Sequence, residues 1–282
     1  MNETLDQKLA ALKLGRMRQV YPSWLEQAAQ SQLGHGEFLE QLVTEELLAR
    51  QENQLRRKMK AAGFPYAATI EQFDFSLRPE LKRAVLMRFF DSSFITKAGS
   101  LVLIGPSGLG KTHLSVALGT KMVQLGYSVR FVVAQQLANA VLAAATRAEL
   151  ARLIASLIRC DLLILDEFGY LTLDPHVGPV LYEIIAGRYE KGATVITSNK
   201  SLAAWGDLVG DTALMMAIID RRLASWGGLL LARTFLPHAR ERTSHAECER
   251  RRGSSCREGL IRLSQDQADD NISGSGELWR HF

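Results

Sequence analysis

The sequence predicts an α/β protein: a parallel sheet flanked by helices, with a smaller helical region at the N-terminus. Three observations carry this. From residue 98 onward short apolar runs alternate with helix-length segments. One such run leads directly into a glycine-rich turn. Residues 1–66 show only helical periodicity.

Taken in order, residues 3–14 read as a helix, with Leu5, Leu9 and Leu12 at three- and four-residue steps, and Pro22 reads as a break or a helix start. A long helix is expected from Glu37 to Lys60, its stripe formed by Phe38, Leu39, Leu42, Val43, Leu47, Leu48, Leu55 and Met59, with Gly63 as its stop. Phe64-Pro65-Tyr66 must leave that helix, because proline cannot continue the hydrogen-bond ladder. Residues 67–97 read as a linker into the core. Strands are then expected at Leu101–Ile104, Ser128–Val133, Leu162–Leu165 and Thr194–Thr197. Between them lie helices at 111–125, at Leu150–Arg159 as the later part of a helical stretch, and at Val177–Tyr189.

The chain has 282 residues, 47% of them apolar, enough for one good-sized core and a small accessory region. No apolar run approaches the roughly 20 residues that span a bilayer, and Met1-Asn2-Glu3-Thr4 opens an amphipathic helix rather than a signal peptide. A cytoplasmic protein without a membrane partner is expected. Cys160, Cys248 and Cys256 have no metal-ligand spacing, and their odd number argues against a disulfide framework. The net charge of +4 permits a nucleic-acid partner without requiring one. Residues 1–220 balance at +1, whereas residues 221–282 hold 11 Arg, no Lys and 8 acids. Two regions therefore follow the N-terminal part and linker: a core over 98–236 and an Arg-rich tail over 237–282, expected to be loosely ordered.

The chemistry concentrates at three strand ends. Gly105-Pro106-Ser107-Gly108-Leu109-Gly110-Lys111-Thr112 matches G-x-x-x-x-G-K-[ST] after a strand and before a helix. Such a loop wraps backbone N–H groups around phosphate, so residues 105–112, with the adjoining His113, form the candidate ATP-binding set. Lys111 should reach the β- and γ-phosphates, and the Thr112 hydroxyl should ligate Mg2+. The second strand end carries Asp166 and Glu167: the first can hold the hydrated magnesium, the second can act as general base on a water. At the third, Asn199 is a candidate for the water or the γ-phosphate if its strand lies beside that of Asp166. Arg221, ending the helix-like run 212–219, reads either as a basic helix terminus or as an arginine finger acting on a neighbouring subunit. Arg56, Arg57, Lys58 and Lys60 read either as a solvated helix end or as a contact to a phosphate backbone.

These motifs together resemble the IstB-like transposition helper ATPases, AAA+ proteins related to the DnaC replicative helicase loader. The resemblance covers residue 1 to about 221. It rests on Phe64-Pro65-Tyr66, Phe73-Asp74-Phe75, the GPSGLGKTHL loop, the LLILDEFGYL strand, ITSN, and the stretch from Trp205-Gly206-Asp207 to Asp220-Arg221. It implies a P-loop NTPase fold of AAA+ type that binds ATP and Mg2+ and hydrolyses ATP. It further implies a homo-oligomer with ATP sites at subunit interfaces, double-stranded DNA bound with little sequence preference, and a partner transposase. Asn199 would then be a sensor and Arg221 would act in trans, and the basic cluster on the long helix would touch DNA. A helicase loader and a non-hydrolysing ATP-dependent DNA scaffold are the alternatives. After Arg221 the chain departs from the family pattern for about 60 residues without lysine, which suggests a shifted reading frame or a diverged remnant.

Overall fold

The computed structural model describes residues 3–77, 81–169, 174, 176–201 and 204–205. The expectations for Arg221 and for the Arg-rich tail lie outside the described residues.

Three helices open the chain: α1 (Glu3–Ala11), α2 (Gly15–Ser31) and α3 (His35–Ala62). The first is shorter than its periodicity predicts. Lys13 takes a left-handed φ of 58°, and the Leu14 and Lys13 amides bond back to the Leu9 and Ala10 carbonyls, which closes the helix. Pro22 is neither a break nor a start; it lies inside α2. Its ring removes one ladder bond, but Met17 and Tyr21 bury against Leu9 and Leu42, and this packing carries the helix through. α3 stops where expected, with Gly63 as a left-handed cap at φ 74°. Its stripe is only partly buried: Leu42 is covered, while Leu39, Val43, Leu47 and Leu48 are exposed, because α2 packs along one side alone.

Residues 67–77 and 81–97 do more than connect. Two short helices, α4 (Arg83–Met87) and α5 (Ser93–Thr96), help send Leu86, Phe89, Phe90, Phe94 and Ile95 into the core. The sheet follows: β1 (Ser100–Ile104), β2 (Val129–Val133), β3 (Leu162–Asp166) and β4 (Ala193–Ser198), all parallel and ordered β1-β4-β3-β2. The connecting helices are α6 (Lys111–Gln124), α7 (Ala134–Ala143), α8 (Arg147–Arg159) and α9 (Val177–Gly187).

Strand alternation divides the core into two layers. Leu101, Leu103, Leu162, Ile164 and Val195 meet α6 on one face. Val102, Ile104, Leu163, Leu165 and Ile196 meet α7, α8 and α9 on the other. This double cover is why the strands read as continuous apolar runs. None of the described helices is long and apolar enough to cross a membrane.

Candidate active site

β4 lies between β1 and β3, so the turn after β1 and the ends of β3 and β4 open on one crevice at the carboxyl edge of the sheet. A cleft of about 370 Å³ there is lined by Tyr66, Ser107, Gly108, Gly110, Lys111, Thr112, His113, Glu167, Thr197, Ser198 and Asn199.

The glycine-rich turn needs its glycines. Gly108 and Gly110 both sit at φ 81°, and a Cβ on Gly110 would come within 2.7 Å of the Phe73 ring. Leu109 is buried and anchors the turn from below, while Gly105 donates its amide to the Ser198 carbonyl at 3.1 Å and so ties the turn to β4. Lys111 folds back over the turn, its Nζ donating to the Gly105 and Pro106 carbonyls at 2.8 and 2.9 Å. Burial pulls this ammonium below its ordinary value, against the opposing pull of the Asp166 and Glu167 carboxylates. A polyphosphate placed there would meet a partly desolvated cation whose hydrogen bonds, among the described residues, go to neutral carbonyls.

Strand parity places the remaining groups. Asp166 continues the Leu162, Ile164 side of β3 and therefore points to the α6 face, where the Thr112 hydroxyl meets both carboxylate oxygens at 3.0 Å. Thr197 stands one step beyond the Leu165 and Ile196 pair, opposite Asp166, and donates its hydroxyl to Asp166 Oδ1 at 2.6 Å. The same Thr197 oxygen accepts the Glu167 amide at 3.0 Å. Glu167 itself has a left-handed φ of 58° and an exposed side chain. A non-glycine residue held there costs about 1–3 kcal/mol of strain, and such strain clusters at functional sites. The twist turns Glu167 out of the sheet toward the cleft. Asn199 also lines it, and its Oδ1 is buried without a hydrogen-bond partner among the described residues.

The structure thus brings Lys111, Thr112, Asp166, Glu167 and Asn199 to one cleft. His113 borders it too, but its Nε2 lies 3.1 Å from the Thr69 carbonyl and its ring tilts against Phe73, so it is engaged with the segment after α3. The basic cluster on α3 divides. Arg56 pairs with Glu52 at 2.8 Å, and Lys58 donates to the Gly126 carbonyl on the core, while Arg57 and Lys60 face solvent. The sequence reading missed Thr197 as a site residue and gave Tyr66 no site role. Thr197 looked like one more β-branched strand residue, and its signal was the polar step that ends the apolar run of β4.

Two thirds of the chain and more has known relatives. The family model described as IstB-like ATP binding protein matches residues 7–225. The chain belongs to that family. It is 36% identical over 219 residues to the ATP-binding protein of insertion sequence IS21 from Pseudomonas aeruginosa, covering 78% of this chain and 83% of that one. To the ATP-binding protein of insertion sequence IS5376 from Geobacillus stearothermophilus it is 33% identical over 223 residues, covering 79% and 89%. In fold it is similar to AMPPCP-bound DnaA from Aquifex aeolicus, with a TM-score of 0.50 and 20% identity over 60% of this chain and 51% of that one. The architecture is accordingly a parallel sheet with flanking helices, like that of nucleotide-bound DnaA, and the IstB-like assignment makes this an ATP-binding chain, with the cleft as its candidate site.

Proposed function

We propose that this IstB-like chain is the ATP-hydrolysing helper of an insertion sequence. In this reading it assembles as a homo-oligomer on double-stranded DNA without strong sequence preference and delivers target DNA to a partner transposase. The observation that carries the hydrolytic part is the convergence of Lys111, Thr112, Asp166, Glu167 and Asn199 on one cleft. The DNA and transposase parts rest on membership among insertion-sequence ATP-binding proteins.

Gly108 and Gly110 give the backbone its close approach to phosphate, and Lys111 exchanges its two carbonyl partners for phosphate oxygens. The Thr112 hydroxyl and the Asp166 carboxylate, already side by side, are the hard oxygen donors that fit Mg2+. Magnesium, when bound, neutralises charge on the terminal phosphates. Glu167 is the general base that takes a proton from the attacking water, and Asn199 offers its unpaired amide oxygen to orient that water. Arg221, assigned by family resemblance, would complete the site of a neighbouring subunit.

Glu167→Gln is the deciding variant. It should bind ATP as the parent does and lose about 10²–10⁴-fold in turnover. The measurement is steady-state phosphate release with and without duplex DNA. A parent protein that releases no phosphate in either condition would remove hydrolysis from this reading and leave ATP binding alone.

A further inference from the structure

Tyr66 reaches the phosphate cleft from an unexpected place, the stretch that leaves α3. The chain around it is pinned on both sides. Phe64 packs edge-on against Phe131 with ring centroids 6.2 Å apart, and it covers Gly119, where a Cβ would come within 2.7 Å of the ring. Ala68 is buried at 1% exposure. Between these anchors Tyr66 lines the cleft with Lys111, Thr112, Glu167 and Asn199, and 46% of its surface stays open to solvent. Burial and the nearby Asp166 carboxylate both push its phenol above the ordinary value. A phenolic hydroxyl at the edge of such a cleft can donate to the oxygens of a terminal phosphate.

We propose that Tyr66 is the residue that distinguishes a bound nucleoside triphosphate from a diphosphate, by donating its phenolic hydrogen to the γ-phosphate. The turn amides hold phosphates common to both nucleotides, and Lys111 spans the β-phosphate of either and the γ-phosphate of the triphosphate. Tyr66 lines the same cleft as Glu167 and Asn199, the residues assigned to the attacking water beside the terminal phosphate, and it is close enough to Asp166 to feel its charge. It lies three positions after the Gly63 cap, at most about 10 Å of extended chain. The contact that reads the nucleotide therefore belongs to the segment that joins α3 to the core. The inference rests on reading this cleft as the ATP site.

The experiment is calorimetric titration of the full chain with ADP and with a non-hydrolysable ATP analogue, for the parent and for Tyr66→Phe. The variant keeps the ring and loses only the hydroxyl. The analogue should bind about tenfold more weakly to Tyr66→Phe, with ADP affinity unchanged within about twofold, as the loss of one hydrogen bond to a charged group requires. An equal loss for both nucleotides would mark Tyr66 as a packing residue and overturn the proposal, as would no loss at all. A parent that binds neither nucleotide would instead sink the ATP site itself, so the two failures are told apart.

Discussion

Glu46 shows how much one carboxylate can organise. It is buried on α3, yet its Oε2 accepts the backbone amides of Arg16 and Met17 at 2.8 and 3.0 Å, and Arg50 donates to Oε1 at 2.9 Å. Those amides are the free donors in the first turn of α2, whose own cap residue, Leu14, has no side chain to offer them. Glu46 therefore caps one helix from another and sets its charge at the positive end of the dipole. Burial alone would raise its pKa; the bonds from Met17, Arg50 and Arg16 outweigh it and hold the carboxyl below its ordinary value of 4.5. A depressed folded pKa contributes stability above the unfolded value, and that stability fades as pH falls through the folded one. Below pH 4.5 the α2–α3 contact should loosen before the core does, read by amide exchange over residues 15–31. Glu46→Gln should produce the same loosening at neutral pH, at a cost of about 1–3 kcal/mol. Exchange in the variant that matched the parent would show that the cap contributes nothing.

At the scale of elements, two joints decide how the helices meet the sheet. α3 is fastened at its end by Lys58 to the Gly126 carbonyl, by Arg130 to the Ala61 carbonyl at 2.9 Å, and by Phe64 laid over Gly119 of α6. In an exposed helix Gly119→Ala would gain about 0.5–1 kcal/mol from helix propensity. Here its methyl would stand 2.7 Å from Phe64 and 2.9 Å from Ile164, and such overpacking costs about 1–3 kcal/mol. Packing wins, so the melting temperature should fall; a rise would mean that Phe64 moves aside freely. The second joint is Arg188, fully buried just after α9. Its guanidinium donates to the carbonyls of Leu157, Ile158 and Cys160 at 2.7, 3.1 and 2.7 Å, and also to that of Ala193. One cation thus satisfies the free acceptors at the C-terminal end of α8 and ties them to the start of β4, with its charge at the negative end of the helix. Burial pulls the Arg188 pKa down, and the Cys160 and Asp161 charges oppose it.

At the scale of the molecule, the proposed function joins nucleotide to assembly. Gel filtration should show a larger species only when ATP and duplex DNA are both present, and an unchanged elution volume would count against a DNA-borne oligomer. The DNA affinity of that species should fall by about 10³-fold or more between 50 and 200 mM salt if six or more phosphates are contacted. A flat salt profile would point away from the phosphate backbone.

The amino-acid sequence by itself determined the parallel sheet and its strand positions, because strands buried on both faces must be apolar throughout. It also marked the glycine-rich turn, since the left-handed backbone at Gly108 and Gly110 favours glycine. Asp166, Glu167 and Asn199 were legible as strand-end polar residues, but not as neighbours. That depended on β4 entering between β1 and β3, pairings across about 94 and about 30 residues that local pattern does not encode. Only the tertiary structure decided the role of Thr197, the course of α2 through Pro22, the cap from Glu46 and the place of Tyr66. Each is set by what lies opposite in space, where burial and partner geometry override the preferences of the residue and its sequence neighbours.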